Sequence, residues 1–291
     1  MPRTIDLHAH TTASDGDQSP TALIEAAAQI GLTALAVTDH DTTDGIAEAQ
    51  EAGKRLGVEI VPGIELSAEF SRGQCHVLGL GINPESEPLN FRLLEVVRNR
   101  NTRNAHIIEK MQNDGIDITL AEVEAIAGGA GGKTIIARPH FAAALIRKGI
   151  VASVPEAFEK YLAKGKPYYA DRDRLSPEEA FALIHAAGGA AILAHPNNMN
   201  RDEAETEAEI RRFLAQGMDG IEARYNRHTP QDNERYIALA ARLGLLTSGG
   251  SDFHGLSVKP TVFLGHVEGR QAAPAELLDA LKTRAAQYVP S

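Results

Sequence analysis

The sequence has a single cysteine, Cys75, in 291 residues. One thiol can form neither an internal disulfide nor a thiolate cage around a metal, and that usage fits a reducing compartment. No run of about 18 apolar residues occurs, so no membrane-spanning helix is expected. The opening residues, Met1-Pro2-Arg3-Thr4-Ile5-Asp6, show no apolar signal core or cleavage site and enter a strand-like pattern at once. The expectation is a cytoplasmic protein with no membrane contact and no obligatory protein partner. Cations are in the minority: 29 Lys and Arg stand against 39 Asp and Glu, a formal charge of −10. That balance alone disfavours broad nucleic-acid binding. Bound metal would change the local picture. Three divalent ions would carry −10 to −4, with the whole gain in one pocket, so a cationic site inside an acidic protein is consistent.

The hydrophobic share is 43%, enough for a sizeable core, and neither a low-complexity linker nor an internal repeat is visible. Short apolar, β-branched runs predict strands at 4–7, 34–38, 59–62, 76–80, 190–194, 220–222, 245–247 and 262–265. Amphipathic patterns predict helices over 21–30, 43–56, 177–187, 204–216 and 231–243. Gly31, Gly57, Gly188, Gly217 and Gly244 stand behind them as stops. Repeating strand–helix units imply an α/β protein with a mostly parallel sheet, open or closed into a barrel. From Asn83 to Asp173 the pattern is helical without a convincing strand. Residues 1–82 and 174–291 are therefore expected to form the sheet domain, and 83–173 a helical insertion over one end of it.

Six of the eleven histidines sit where strand patterns begin or end. His8 and His10 are two apart, so on a strand both point to one face. Asp252 and His254 repeat that spacing. His40 follows 34–38, Glu65 follows Val61-Pro62-Gly63-Ile64, His76 opens the run to Leu80, and His195 follows Ala191-Ile192-Leu193-Ala194. A lone histidine is usually a satisfied core or surface residue. A set gathered at the carboxyl ends of barrel strands, where catalytic groups collect, would repel and leave one another unpaired without cations. Imidazole and carboxylate together suit manganese, iron or zinc better than magnesium, and these eight donors, nine with Asp15, exceed the needs of one ion.

The ordered motifs Asp6-Leu7-His8-Ala9-His10, Thr38-Asp39-His40, Pro62-Gly63-Ile64-Glu65, His76, His195-Pro196 and Asp252-Phe253-His254 resemble the PHP family. This is the polymerase and histidinol phosphatase group, related to the amidohydrolases. The resemblance runs through nearly the whole chain. It implies a distorted (β/α)7 barrel with two or three divalent ions, manganese first, with iron or zinc as alternatives. It further implies that His8, His10, Glu65 and Asp252 hold one ion, that Glu65, His76 and His195 hold a second, and that Asp15, His40 and His254 hold a third. Asp252, His195 and His254 would also be the groups that handle protons. Asp39 is expected either to orient a ligand imidazole or to cap the following helix.

Gly128 to Thr134 ends in Gly132-Lys133-Thr134, superficially a Walker A loop, but the position that needs the first glycine is Ala127 and the preceding pattern is helical. A nucleotide triphosphatase is not expected. A glycine-rich turn before a helix can still bind an anion. Lys133 and Thr134, Arg138 and His140 in Arg138-Pro139-His140, and Arg224 and His228 after the strand at 220–222 are the candidate substrate contacts, arginine being the natural bidentate partner of phosphate. Arg138-Pro139-His140 with Glu222-Ala223-Arg224-Tyr225 and His228 is similar to the TrpH-like branch of the family. That similarity implies removal of the 3′-phosphate from nucleoside 3′,5′-bisphosphates, or 5′-to-3′ trimming of short RNA. Small nucleotides, and short oligonucleotides as the alternative, are the expected substrates. Histidinol phosphatase and a non-catalytic, polymerase-associated module are weaker readings. The first lacks support from the insertion motif; the second predicts a damaged ligand set.

Overall fold

The computed structural model describes residues 4–127, 136, 138–170, 174–267 and 273–288. They divide into two compact units, Met1–Arg92 with Arg174–Ser291, and Leu93–Asp173. The division falls inside a helix rather than at Asn83, where the strand pattern stops. Lys133 and Thr134 lie outside the described residues.

Among its described residues the first unit carries eight strands: β1 (Thr4–Ala9), β2 (Ala34–Val37), β3 (Glu59–Ala68), β4 (Cys75–Leu80), β5 (Ala190–Leu193), β6 (Gly220–Tyr225), β7 (Leu246–Gly250) and β8 (Ala273–Pro274). They form one sheet in the order β7-β6-β5-β4-β3-β2-β1-β8. Pairing is parallel from β1 to β3 and from β5 to β7, whereas β4 runs antiparallel to both of its neighbours. An Ala9–Phe253 bridge joins the end of β1 to the chain leaving β7 and closes the barrel on that side. Two-residue β8 pairs antiparallel with the start of β1.

The sequence expected a strand over 262–265. That stretch is instead a turn, with Gly265 at φ 74°. Its apolar residues Val262 and Leu264 are buried because they pack with Leu23, Ile24 and Val37 rather than in a ladder. The sheet's last strand is the short β8.

Around the barrel stand α1 (Pro20–Gln29) and α2 (Ile46–Leu56). In the second half of the chain, α7 (Pro177–Ala186), α8 (Glu203–Ala215), α9 (Pro230–Leu243) and α10 (Glu276–Ala285) follow the insertion helices numbered below. Capping boxes start α7, α8 and α9, from Ser176 with Glu179, Asp202 with Glu205, and Thr229 with Asp232. Gly57 and Gly244 end α2 and α9 in the left-handed conformation that glycine adopts without penalty. Ile5, Val61, Leu80 and Ile192 come from strands that are not all neighbours, yet they share one cluster with Leu278 and Leu281. This cluster is the barrel interior, and α10 plugs the end away from the strands' carboxyl termini. The register shift in β1 between Asp6 and Ala9 changes which face each residue presents. Leu7 remains in the interior cluster while Ala9 joins the outer one with Val37 and the helices.

The second unit holds most of α3 (Glu87–Asn113), then α4 (Leu120–Ile126), α5 (Arg138–Arg147) and α6 (Val154–Ala157), which runs on as a π-helical turn over Phe158–Leu162. It has its own core of Ile107, Met111, Val123, Phe141, Leu145 and Leu162, all fully buried. Among the described residues of this unit there is no strand, and no helix of the described residues is long and apolar enough to cross a membrane.

Candidate active site

The direction of each strand decides what it offers at one end of the barrel. β1 delivers His8 and, just beyond it, His10; the chain leaving β2 delivers His40, bridged to Glu65 of β3. His195 follows β5, and Asp252 and His254 follow β7. His76 lies at the start of its strand, not the end. Because β4 is antiparallel, its beginning meets the ends of the others, opposite Ser67 of β3. These eight donors therefore meet at one mouth, and Asp15, in the loop after β1, joins them beside His10, His40 and His254.

Four donor atoms, His8 Nε2, His10 Nε2, Glu65 Oε2 and Asp252 Oδ1, form a buried group. The nitrogens are 3.1 Å apart; Glu65 Oε2 is 3.3 and 3.2 Å from them, and Asp252 Oδ1 is 3.5 and 3.4 Å. Ligands held at ~2.0–2.2 Å around one ion are separated by ~3.0–3.5 Å, so this spacing is that of a coordination shell. The other Glu65 oxygen, Oε1, is 2.9 Å from both His76 Nδ1 and His195 Nε2. The third group is looser. Asp15 lies 3.3 Å from His254 Nε2, 3.6 Å from His10 Nδ1 and 3.9 Å from His40 Nε2. His10 thus reaches this group as well as the first, and His40 Nδ1 also comes within 3.1 Å of Glu65 Oε2.

Two observations test whether a cation fits. Glu65 Oε2 has three imidazole nitrogens within 3.3 Å yet makes no properly directed hydrogen bond, and His10 Nδ1 and His40 Nδ1 are likewise buried without one. The groups face a common point rather than one another, which is what a coordinated ion requires and a hydrogen-bond network does not. The electrostatics agree. Burial opposes charge on His8, but Glu222, Glu65 and Asp252 outweigh it and hold its pKa well above the ordinary imidazole value. Burial opposes charge on His10 too, and Asp252 and Glu65 still raise it to about 9. Burial would push Glu65 up, but His40, His8 and His76 hold it well below the usual carboxylate range. Burial takes His40 down to about 4 although Glu65 and Asp15 oppose it, leaving a neutral imidazole able to donate a lone pair. A divalent cation meets the same demand as the protons on His8 and His10. The cluster is compatible with divalent metals.

Several supporting residues went unassigned in the sequence. Glu222 is fully buried; one oxygen is 2.9 Å from His8 Nδ1 and the other accepts from the His195 backbone N–H at 2.8 Å. The Asn198 side-chain amide lies 3.1 Å from His195 Nδ1. Tyr225 and Lys259 both reach Asp252 Oδ2. The sequence assigns them no role: Glu222 and Tyr225 stand at and just past the carboxyl end of a predicted strand, inside the Glu222-Ala223-Arg224-Tyr225 motif, and Asn198 and Lys259 carry no signal. His195 and Asp252 adopt φ of 28° and 56°, rare for residues with side chains, and such strain clusters at functional sites. Asp39 fulfils neither expected role. Its carboxylate accepts from Thr11 N–H, Thr11 Oγ1 and Ser14 Oγ, so it fixes the loop that presents Asp15, and α2 begins later, after Gly45.

The candidate substrate contacts differ in setting. Arg224, half-buried on β6, follows a register shift after Glu222. His228 is buried between the rings of Tyr225 and Tyr236, with Nδ1 3.2 Å from Asn233 Oδ1. Arg138 opens α5 within the insertion. There its guanidinium donates to the Leu162 carbonyl at 3.2 Å and lies over the rings of Phe158 and Tyr169, so it has packing work in its own unit. His140 sits in the first turn of the same helix, partly buried.

A nearly closed α/β barrel whose mouth gathers imidazoles and carboxylates around shared points has the architecture of a metal-dependent hydrolase. The chain belongs to the PHP family: the PHP domain model matches residues 6–222. It is 36% identical over 254 residues to the 3′,5′-nucleoside bisphosphate phosphatase of Chromobacterium violaceum, covering 86% of this chain and 87% of that protein. It is 35% identical over 251 residues to the 5′-3′ exoribonuclease Rnm of Escherichia coli, covering 86% and 84%. Among solved structures, an amidohydrolase from Chromobacterium violaceum with bound sulfate and no metal superposes with a TM-score of 0.76 at 34% identity, over 97% of this chain and 96% of that one. The chain is thus a phosphoesterase, a hydrolase of phosphate esters.

Proposed function

We propose that this protein removes the 3′-phosphate from nucleoside 3′,5′-bisphosphates, such as adenosine 3′,5′-bisphosphate, releasing phosphate and the 5′-monophosphate. The observation that carries the reading is the similarity to a nucleoside bisphosphate phosphatase over 86% of this chain, joined to a donor cluster organised around Glu65. Trimming of short RNA from its 5′ end is the second reading, favoured by a nearly equal likeness to an exoribonuclease.

In this reading His8, His10, Glu65 and Asp252 hold one divalent ion, Glu65, His76 and His195 a second, and Asp15, His40 and His254 a third, with manganese the first candidate. Bound divalent ions supply a strong nucleophile from water at neutral pH and neutralise the phosphoryl oxygens. The chain's own groups do the rest. Glu222 and Asn198 orient the imidazoles of His8 and His195. His254 Nδ1 lies 2.9 Å from the Asp252 carbonyl, which fixes Nδ1 as the donor and turns Nε2 toward Asp15. In this reading His195 and His254 are assigned the proton of the leaving ribose oxygen, while Asp252, with one oxygen facing His8 and His10 and the other taken by Lys259 and Tyr225, serves as a ligand and not as a proton donor. Arg224, on the barrel, contacts the substrate's second phosphate. Binding energy from that unreacting group positions the reacting one.

A phosphate-release screen of manganese-loaded protein tests this. Nucleoside monophosphates, 3′,5′-bisphosphates, histidinol phosphate and short RNAs should be ranked with the bisphosphates first. Release of mononucleotides from RNA as the fastest reaction would select the second reading.

A further inference from the structure

Asp252 uses its two oxygens differently. Oδ1 faces His8 Nε2 and His10 Nε2 at 3.5 and 3.4 Å. Oδ2 points away from that group and meets two donors, the Lys259 ammonium at 2.7 Å and the Tyr225 hydroxyl at 2.9 Å. Lys259 is not an ordinary surface lysine that has found a carboxylate. Its side chain is 22% exposed and Asp252's is 7% exposed. A built turn brings it there. Lys259 N–H donates to the Gly255 carbonyl at 2.9 Å, and Gly255 has φ 93° and no room for a Cβ beside the Asp17 carboxylate. That same carboxylate accepts from Ser257 N–H and Ser257 Oγ. The segment after His254 is pinned so that residue 259 comes back to Asp252.

We propose that Lys259 is a positioning residue for the metal centre. With Tyr225 it reserves Asp252 Oδ2, so that Asp252 offers a single oxygen, and its charge reduces the negative charge Asp252 donates. This rests on the reading of Asp252 as a ligand. The consequence has an unusual sign. A cation beside a ligand carboxylate repels the ion that the carboxylate holds, so the lysine loosens metal binding while leaving the ion more electron-poor and a better activator of phosphate esters. Tyr225 carries no charge and acts by geometry alone.

The test is manganese affinity of the full chain, measured by competition with a coloured chelator, alongside kcat and KM. Lys259→Met should bind manganese about tenfold more tightly while kcat falls about tenfold or more with little change in KM, and Lys259→Arg should restore both toward wild type. Tyr225→Phe, which keeps the charge, should weaken manganese about threefold. The opposite signs distinguish a charge effect from simple loss of support. Lys259→Met binding manganese equally or more weakly would overturn the proposal. Asp252→Asn serves as the control for the underlying reading and should lose manganese severely. Unchanged manganese affinity in that variant would remove Asp252 from the ligand set and overturn the proposal with it, whereas severe loss there with no tightening in Lys259→Met would sink the role of Lys259 alone.

Discussion

Glu222 places a carboxylate oxygen 2.9 Å from His8 Nδ1, with neither side chain reaching solvent. The contact favours a proton on Nδ1, so that a metal ion displacing the proton from Nε2 would meet its lone pair, the nitrogen that faces Glu65 and Asp252. Glu222→Gln can present its carbonyl to Nδ1 but loses the charge that makes the imidazole a stronger donor, and its NH2 then faces the His195 backbone N–H, which loses its acceptor. Metal affinity should fall about 10- to 100-fold with the fold intact by circular dichroism. Wild-type affinity would mean that backbone packing alone holds His8.

Glu65→Gln should have a wider effect. Its two oxygens face different groups, His76 and His195 on one side and His8 and His10 on the other. The amide can ligate through one atom only. Metal content after manganese loading should drop by more than one equivalent, with turnover lost. Loss of one equivalent or less would show that Glu65 does not bridge.

Cys75 should be chemically idle. Burial pushes its thiol up to about 12, and its exposure is 1%. A raised thiol pKa means that the reactive thiolate stays scarce until the pH approaches that value. Native protein should therefore resist thiol reagents at pH 8 and react at once in denaturant, and Cys75→Ser should keep full activity. Rapid labelling of the native protein would contradict this.

At the plugged end of the barrel, Asp219 takes hydrogen bonds from Ala191 N–H, Arg284 and Tyr288 and lies 2.9 Å from His185 Nε2. Burial would raise its pKa, but His185, Ala191 and Tyr288 more than offset this and hold it down. A carboxyl depressed in the folded state adds stability above its unfolded value, ~3.9, and loses it as pH falls through the folded value. Asp219→Asn should cost about 1–2 kcal/mol at pH 7, since His185 and Arg284 are partly exposed, and less as pH drops below ~4. A difference independent of pH would assign the loss to packing instead.

Part of the donor cluster was legible in the sequence because His8, His10, His40, His76, His195, Asp252 and His254 sit at or just beyond strand ends, and spacing paired His8 with His10 and Asp252 with His254; Glu65 lies inside β3, and Asp15, in the loop after β1, entered only through the family resemblance. His76 stood at the wrong end of its strand until the antiparallel course of β4 explained it. The apolar run at Val262 to Gly265 misled because it packs against α1 and β2 instead of pairing. Glu222, Tyr225 and Lys259 could not be assigned from spacing, since contacts such as Lys259 to Asp252 arise from a turn, and Glu222 to His8 spans most of the chain. Asp39 read as a cap or an imidazole partner because both begin with a carboxylate after a strand; the loop it holds is visible only in three dimensions.

The most direct test of the functional claim is the ratio of kcat/KM for adenosine 3′,5′-bisphosphate to that for adenosine 3′-monophosphate, in wild type and in Arg224→Ala, with manganese saturating. A charged hydrogen bond to the second phosphate is worth about 1.5–3 kcal/mol, so the wild-type ratio should exceed roughly tenfold and shrink by a similar factor in the variant. Equal efficiencies on both substrates in the wild type, or equal losses on both in Arg224→Ala, would contradict a site built to read two phosphates.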